Sequence, residues 1–179
     1  VEIFLSKREK IYANFLIDGV KQKRKNAQGF LKVVIFDPSD VDMFSKSPET
    51  RRKYLNMVLS QKSPEYLESM TEYKRVLFQK NRLLNNLRNG QMEAAPSLTE
   101  WNEQLLGIGS KIIFERRQFM NFLNQGISEV YTTISGFHRA VEVFYESLSG
   151  GTLAEIKEAF REKLEVVGQK EMAAGVCLV

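Results

Sequence analysis

The sequence predicts an α+β fold, mainly helical: a helical lobe with a long antiparallel helix hairpin, inserted between short strands. Three observations predict it. Strand-like runs stand on both flanks, "VEIFLS" at residues 1–6 and "RAVEVFYES" at 139–147. Between them, three prolines each follow a residue able to cap a helix, in Asp37-Pro38, Ser47-Pro48 and Ser63-Pro64. Beyond the last proline, two long stretches carry apolar side chains at helical spacing.

Residues 1–6 and Ile11–Asp18 read as two strands joined by the polar turn "KREK". Residues 18–29, "DGVKQKRKNAQG", read as a basic connection, and "FLKVVIF" (Phe30–Phe36) as a buried strand. Each of the three prolines then fits the first position of a helix. The ring's fixed φ suits that place, and its missing N–H would have had no partner there. Asp40, Glu49 and Glu65 follow within the first turns, where negative charge meets the positive end of the helix dipole. The third helix, from Pro64 to about Arg88, carries Tyr66, Met70, Tyr73, Leu77, Leu84 and Leu87 on one stripe, with Lys80 as its polar gap. Gly90 suits the residue after the helix end. "SLTE" at Ser97–Glu100 fits a capping box, and one long helix is expected from there to Gly136, bending at Gly107, Gly109 or Gly126. A strand over Arg139–Ser147 follows, then a helix from Thr152 to about Gly168, then the start of a strand in "AAGVCLV". Both flanking strand runs read as wanting partners elsewhere, as in a piece of a longer protein. The order divides the chain into strands at 1–36, a helical lobe at 37–136, and a strand, a helix and a beginning strand at 137–179.

Composition narrows function more than it assigns it. The 179 residues are 43% hydrophobic and 27% charged, as in globular chains, and the net charge of +4 permits a nucleic-acid partner without requiring one. No run is apolar enough to suggest a membrane span. One cysteine, Cys177, excludes an internal disulfide and suits a reducing cytoplasm. There is no phosphate-binding Gly-x4-Gly-Lys-Ser/Thr loop, no GxGxxG, no HExxH and no CxxC. His138, the sole histidine, reads as a turn or cap residue, and no catalytic residue or metal ligand is expected.

The basic residues are the candidates left. Lys21, Lys23, Arg24 and Lys25 form a cluster that is either a solvated loop or a phosphate contact. Arg116 and Arg117 are neighbours on a helix and point apart, so at most one joins any patch. Arg51 and Arg52 have the same geometry. One of them is expected to pair with Asp40 or Asp42 and fix how two helices meet.

The stretch "VVIFDPSDVDMFSKSPETRRKYLNMVLSQKSPEYLESMTEYKRVLFQKNRLL" (Val33–Leu84) resembles the RecF family of bacterial DNA replication and repair proteins. The resemblance is carried by Phe36, Pro38, Asp40, Pro48, Arg51, Arg52, Leu55, Leu59, Ser60, Pro64, Tyr66, Leu67, Tyr73, Leu77, Gln79, Asn81, Leu83 and Leu84, with Trp101, Gln104 and Leu105 further on. Ser39, Tyr54, Asn56 and Lys80 depart from the family pattern of Glu, Phe, Asp and Arg. Asn56 keeps a hydrogen bond within reach but brings no charge.

The resemblance implies an SMC-like, ABC-type ATPase head. ATP and Mg would bind between two heads in a homodimer. DNA, RecR and RecO would be partners, and RecA would be loaded at gaps. The sequences that hydrolyse ATP would lie outside this chain, so no cofactor and no catalysis are expected within it. The flanking strands would belong to an incomplete head. Phe36, Pro38, Asp40, Arg51 and Arg52 would sit at the junction with the helical lobe, and Phe36–Asp40 where such heads sense nucleotide. The alternative is a helical protein-interaction module with no DNA role, and a third reading is an independent enzyme.

Overall fold

Asp18 and Gly19 both take positive φ, 51° and 76°, the backbone of a two-residue hairpin turn. That turn joins β2 (Ile11–Ile17) to β3 (Val20–Gln22) in the computed structural model, which describes residues 2–7, 11–23, 30, 32–91 and 96–179. With β1 (Glu2–Lys7), these strands form an antiparallel sheet of order β1-β2-β3. β3 falls where the sequence suggested only a polar connection; the Asp-Gly pair between Ile17 and Val20 was its signal. Residues 8–10 of the expected "KREK" turn lie outside the described residues.

The architecture is α+β and mainly helical, and the chain divides into two compact units, 1–68 and 69–179. In the first, the expected strand Phe30–Phe36 does not form. A β-branched run becomes a strand only when a neighbour accepts its ladder, and among the described residues none does. The Val33 N–H donates instead to Gln61 Oε1 at 3.0 Å. Each of the three prolines does start a helix, but the first is a 3-10 helix, Pro38–Phe44. The others open α1 (Pro48–Lys62) and α2 (Pro64–Arg88). Ser63 caps α2, its Oγ accepting the Tyr66 N–H at 3.1 Å and donating to Glu65 Oε2 at 2.8 Å. Ser47 precedes α1 without a side-chain cap bond. Leu55, Leu59 and Tyr66 are buried here, and the Tyr66 hydroxyl donates to Asn56 Oδ1 at 2.7 Å.

In the second unit α2 ends on Gly90 at φ 67°. The Gly90 and Gln91 N–H groups bond back to the Leu87 and Asn86 carbonyls, the paired pattern of a left-handed helix stop. α3 begins at Pro96, so Ser97 is already helical rather than a cap, and it ends at Asn124. The long helix expected to Gly136 is two: a break at Gln125-Gly126 separates α4 (Ile127–Ser135), which Gly136 ends in the left-handed conformation. α5 (Leu153–Ala174) starts on a full Thr152/Glu155 capping box. It runs past Gly168, because Ile156, Phe160, Leu164, Val167 and Glu171 keep burying a residue each turn, and packing outweighs the roughly 1 kcal/mol that an interior glycine costs. "AAGVCLV" therefore splits into a helix end and an irregular tail, and no strand begins there.

The expected strand Arg139–Ser147 joins no sheet among the described residues. Its inner positions Val141, Val143 and Tyr145 are half-buried and the alternate ones exposed. Side chains stand in for a neighbouring strand. Asn124 Oδ1 accepts the Val143 N–H at 2.9 Å while its Nδ2 donates to the Val143 carbonyl at 2.8 Å. Ser128 Oγ does the same for Val141, at 2.9 and 3.0 Å. Arg116 and Arg117 both serve this return segment, Arg116 donating to the Tyr145 hydroxyl and Arg117 to the Leu148 carbonyl.

Contacts of α2 with α3 run in opposite order along the two chains, Met70 near Arg116 and Arg75 near Trp101, so the hairpin is antiparallel. α5 packs on α3 around Leu106, Phe160 and Leu164. Gly109 makes that approach possible: a Cβ there would stand 2.3 Å from Phe160 Cε1. The polar gap in the α2 stripe is no gap. Lys80 is fully buried, with Nζ 2.7 Å from Glu171 Oε2.

Gly109→Ala is expected to lower the urea midpoint, since overpacking costs about 1–3 kcal/mol against about 1 kcal/mol gained in helix propensity. Lys80→Met leaves Glu171 buried and uncompensated; it is expected to cost about 3–5 kcal/mol in chemical denaturation, and Lys80→Met with Glu171→Leu to recover most of that.

Candidate functional site

Two regions gather the expected site residues and the buried polar groups. The first leads from the sheet into α1. Val34, Ile35 and Phe36 are 96%, 77% and 77% exposed, and Val41 and Phe44 follow them into solvent. Consecutive exposed apolar side chains of this size mark a surface that meets something else. Pro38, exposed, opens the 3-10 helix. Half-buried Asp40 closes its first turn: Oδ2 accepts the Asp37 N–H at 2.9 Å, and the Asp40 N–H returns to the Asp37 carbonyl at 2.8 Å. Arg51 reaches the other end, where its Nη1 donates to the Phe44 and Lys46 carbonyls at 3.2 and 3.0 Å. A cation there satisfies orphan carbonyls and meets the negative end of the turn's dipole. The recorded Arg51 bonds thus go to backbone carbonyls rather than to the expected carboxylate; the Asp42 side chain lies outside the described residues. Arg52 is exposed beside Glu49, whose carboxyl is held below its usual range chiefly by Lys53.

Of the basic cluster, Lys21 lies on β3 opposite Leu16 and Lys23 just beyond it, both exposed; Arg24 and Lys25 lie outside the described residues. His138 is exposed past the end of α4. Among the described residues no group of His, Cys, Asp and Glu is placed to hold a metal, and no helix is long and apolar enough to cross a membrane.

The second region is a buried polar seam in the second unit, which sequence reasoning missed. Beside the Lys80–Glu171 pair, Glu171 Oε1 accepts the Leu178 N–H at 2.8 Å and Asn81 Oδ1 the Cys177 N–H at 2.7 Å. Arg88 donates to the Ala174 carbonyl at 3.1 Å. Cys177 thereby ties the tail after α5 to α2, Leu178 ties it back to α5, and Arg88 of α2 holds the last residue of α5. Burial pushes the Tyr73 hydroxyl up to about 12, with nearby Cys177 adding to the shift. Burial raises the Cys177 thiol as well. Both shifts favour the protonated form, the opposite of an activated nucleophile. The signal for it in the sequence was Lys80 itself, a cation set squarely on an apolar stripe.

Tyr73 has a folded pKa above the ordinary value of about 10, so its contribution is fully present below that pH and is lost as pH rises toward about 12. Alkaline unfolding followed by circular dichroism is expected to show that loss in the wild type and to show less of it in Tyr73→Phe.

No family model matches the chain. Curated relatives do. The chain is 31% identical over 166 residues to DNA replication and repair protein RecF of Bacillus thuringiensis (strain Al Hakam), covering 89% of this chain and 44% of that protein. The figures are the same for RecF of Bacillus anthracis (strain A0248). Two solved structures from the RecFOR pathway share the fold. The recombination mediator protein RecF with ATP superposes at a TM-score of 0.86 and 23% identity, over 99% of this chain and 48% of that one. RecF-ATPrS does so at 0.80 and 21%, over the same shares. The chain spans less than half the length of the relatives it matches. By sequence and by fold alike, then, the chain is RecF-like, and it matches part of the DNA replication and repair protein RecF.

Proposed function

We propose that this chain is a region of a RecF-type recombination mediator acting in DNA repair and replication. The observation that carries the reading is the ordered 31% match over 166 residues, in a chain whose fold superposes on RecF with ATP at 0.86. In this reading residues 1–36 and 137–179 belong to an ATPase head and 37–136 to a helical lobe. The whole protein binds ATP with Mg, pairs with a second copy on it, and is a weak DNA-dependent ATPase of the cytoplasm. RecR and RecO are its partners, and it assists the loading of RecA at gaps.

The exposed apolar run Val34–Phe36 supports a share in that head, because it offers a surface for strands this chain does not contain. Phe36, Pro38 and Asp40 then stand where a change in nucleotide state enters the lobe. Arg51 clamps the 3-10 helix onto the start of α1, and Arg52 flanks it. Lys21 and Lys23, with Arg24 and Lys25, are the phosphate contacts.

Lys21→Gln with Lys23→Gln in the full-length protein is expected to weaken duplex DNA binding. It should lower the slope of log affinity against log salt by about 1.8, two phosphate contacts' worth. An unchanged slope removes the phosphate role, and capture of RecR without any DNA binding favours the protein-interaction module.

A further inference from the structure

α4 is an amphipathic helix held inside out. Ile127, Val130, Tyr131 and Ile134 fall within an arc of about 100° on it, the spacing by which a surface helix normally buries its apolar side. Yet no residue of α4 is buried, and Val130 and Ile134 are 57% and 82% exposed. Ser128, Thr132 and Ser135 are half-buried instead, so the hydroxyl-bearing side faces the protein while the aliphatic row faces water. Glycine stands at both ends. Gly126 precedes the helix and Gly136 ends it at φ 73°, and a Cβ at either would meet no atom within 4 Å. The α3 ladder stops at the first of them, where the Gln125 and Gly126 N–H groups bond back three residues, to the Phe122 and Leu123 carbonyls at 3.3 and 3.1 Å.

An apolar row left in water forgoes the free energy that burying it would recover, so something must hold the helix in this orientation. Among the described residues one tie crosses its inner side. Ser128 Oγ accepts the Val141 N–H at 2.9 Å and donates to the Val141 carbonyl at 3.0 Å. The return segment can serve as the fixed end, because α3 grips it independently: Asn124 holds Val143 and Arg116 holds Tyr145. The other side-chain bonds of α4 stay local, Thr133 to the Glu129 carbonyl and Ser135 to the Phe137 N–H. We infer that Ser128 is the latch of a hinged helix. While it holds Val141, α4 lies with its apolar row outward. When it lets go, α4 turns on Gly126 and Gly136 and brings Val130 and Ile134 inward. The element has two positions, one favoured by a pair of hydrogen bonds and the other by apolar burial. The inference draws on neither the nucleotide reading nor the DNA reading above, and either could fail without touching it.

The test is the rate at which a thiol reagent labels single cysteines in the full-length protein, with the native cysteines replaced by serine. Thr132→Cys probes the inner side of α4 and Ile134→Cys the outer. Ser128→Ala removes both latch bonds. It is expected to raise labelling at Thr132→Cys about five- to 150-fold, two net hydrogen bonds' worth, and to lower it at Ile134→Cys. Ser128→Thr keeps the hydroxyl and should restore the original rates at both positions. Circular dichroism and melting should stay close to the wild type, since α4 buries no residue. A simple loosening would raise labelling at both cysteines, and that result overturns the inference, as do unchanged rates at both. So does Ser128→Thr labelling like Ser128→Ala. Loss of the fold in Ser128→Ala overturns it too, because a latch on a hinged helix carries no global stability.

Discussion

A lysine and a glutamate, both withdrawn from water and 2.7 Å apart, set the arrangement of the second unit. Desolvating two charges costs about as much as their attraction returns, so the pair adds little net stability. It acts instead as a penalty on every arrangement that separates them. α2 and α5 must bring Lys80 and Glu171 together, and that requirement sets how α5 lies along α2. The neighbouring bonds extend the same constraint outward. Glu171 also takes the Leu178 N–H, Asn81 takes that of Cys177, and Arg88 reaches Ala174. Gly175 holds a left-handed φ of 70°, which strains any other residue there, and a Cβ would push against Arg88 Cδ at 2.8 Å. The irregular tail is thus as specified as the helices it follows.

The return segment shows the same economy with backbone groups. A chain segment lying on helices cannot leave its N–H and C=O groups without partners where water is scarce. A carboxamide carries one acceptor and donors in one plane, so Asn124 offers Val143 what the backbone of an adjacent strand would have offered. Ser128 does so for Val141 with a hydroxyl that both donates and accepts. Arg116, buried beneath Tyr145 with its guanidinium 5.2 Å from the ring centre, anchors the next inward residue. A pattern that alternates like a strand in the sequence is thereby held without a sheet.

The first unit is organised differently, around a connector whose apolar side chains face outward. Its polar backbone is satisfied locally, by Asp40 at one end of the 3-10 helix and Arg51 at the other. Its apolar run is not satisfied locally at all. That division leaves the backbone conformation set from within and the apolar side chains on the surface.

What the sequence determined by itself was whatever depends on near neighbours. Proline after Ser or Asp, Thr152 as a helix cap, and Gly90 and Gly136 at left-handed stops place helix ends through bonds a few residues long. The ordered matches from Phe36 to Leu84 also sufficed for the family likeness. The outcome at "FLKVVIF" and "RAVEVFYES" was not legible, because a strand is a property of two segments and the sequence shows one. Lys80 looked like an interruption because its partner stands 91 positions away on another helix. Gly109 looked like a helix defect until Phe160 filled the space it leaves. Only the tertiary structure decides such pairs, since burial turns a charge or a missing side chain into a constraint only when the group opposite it is known.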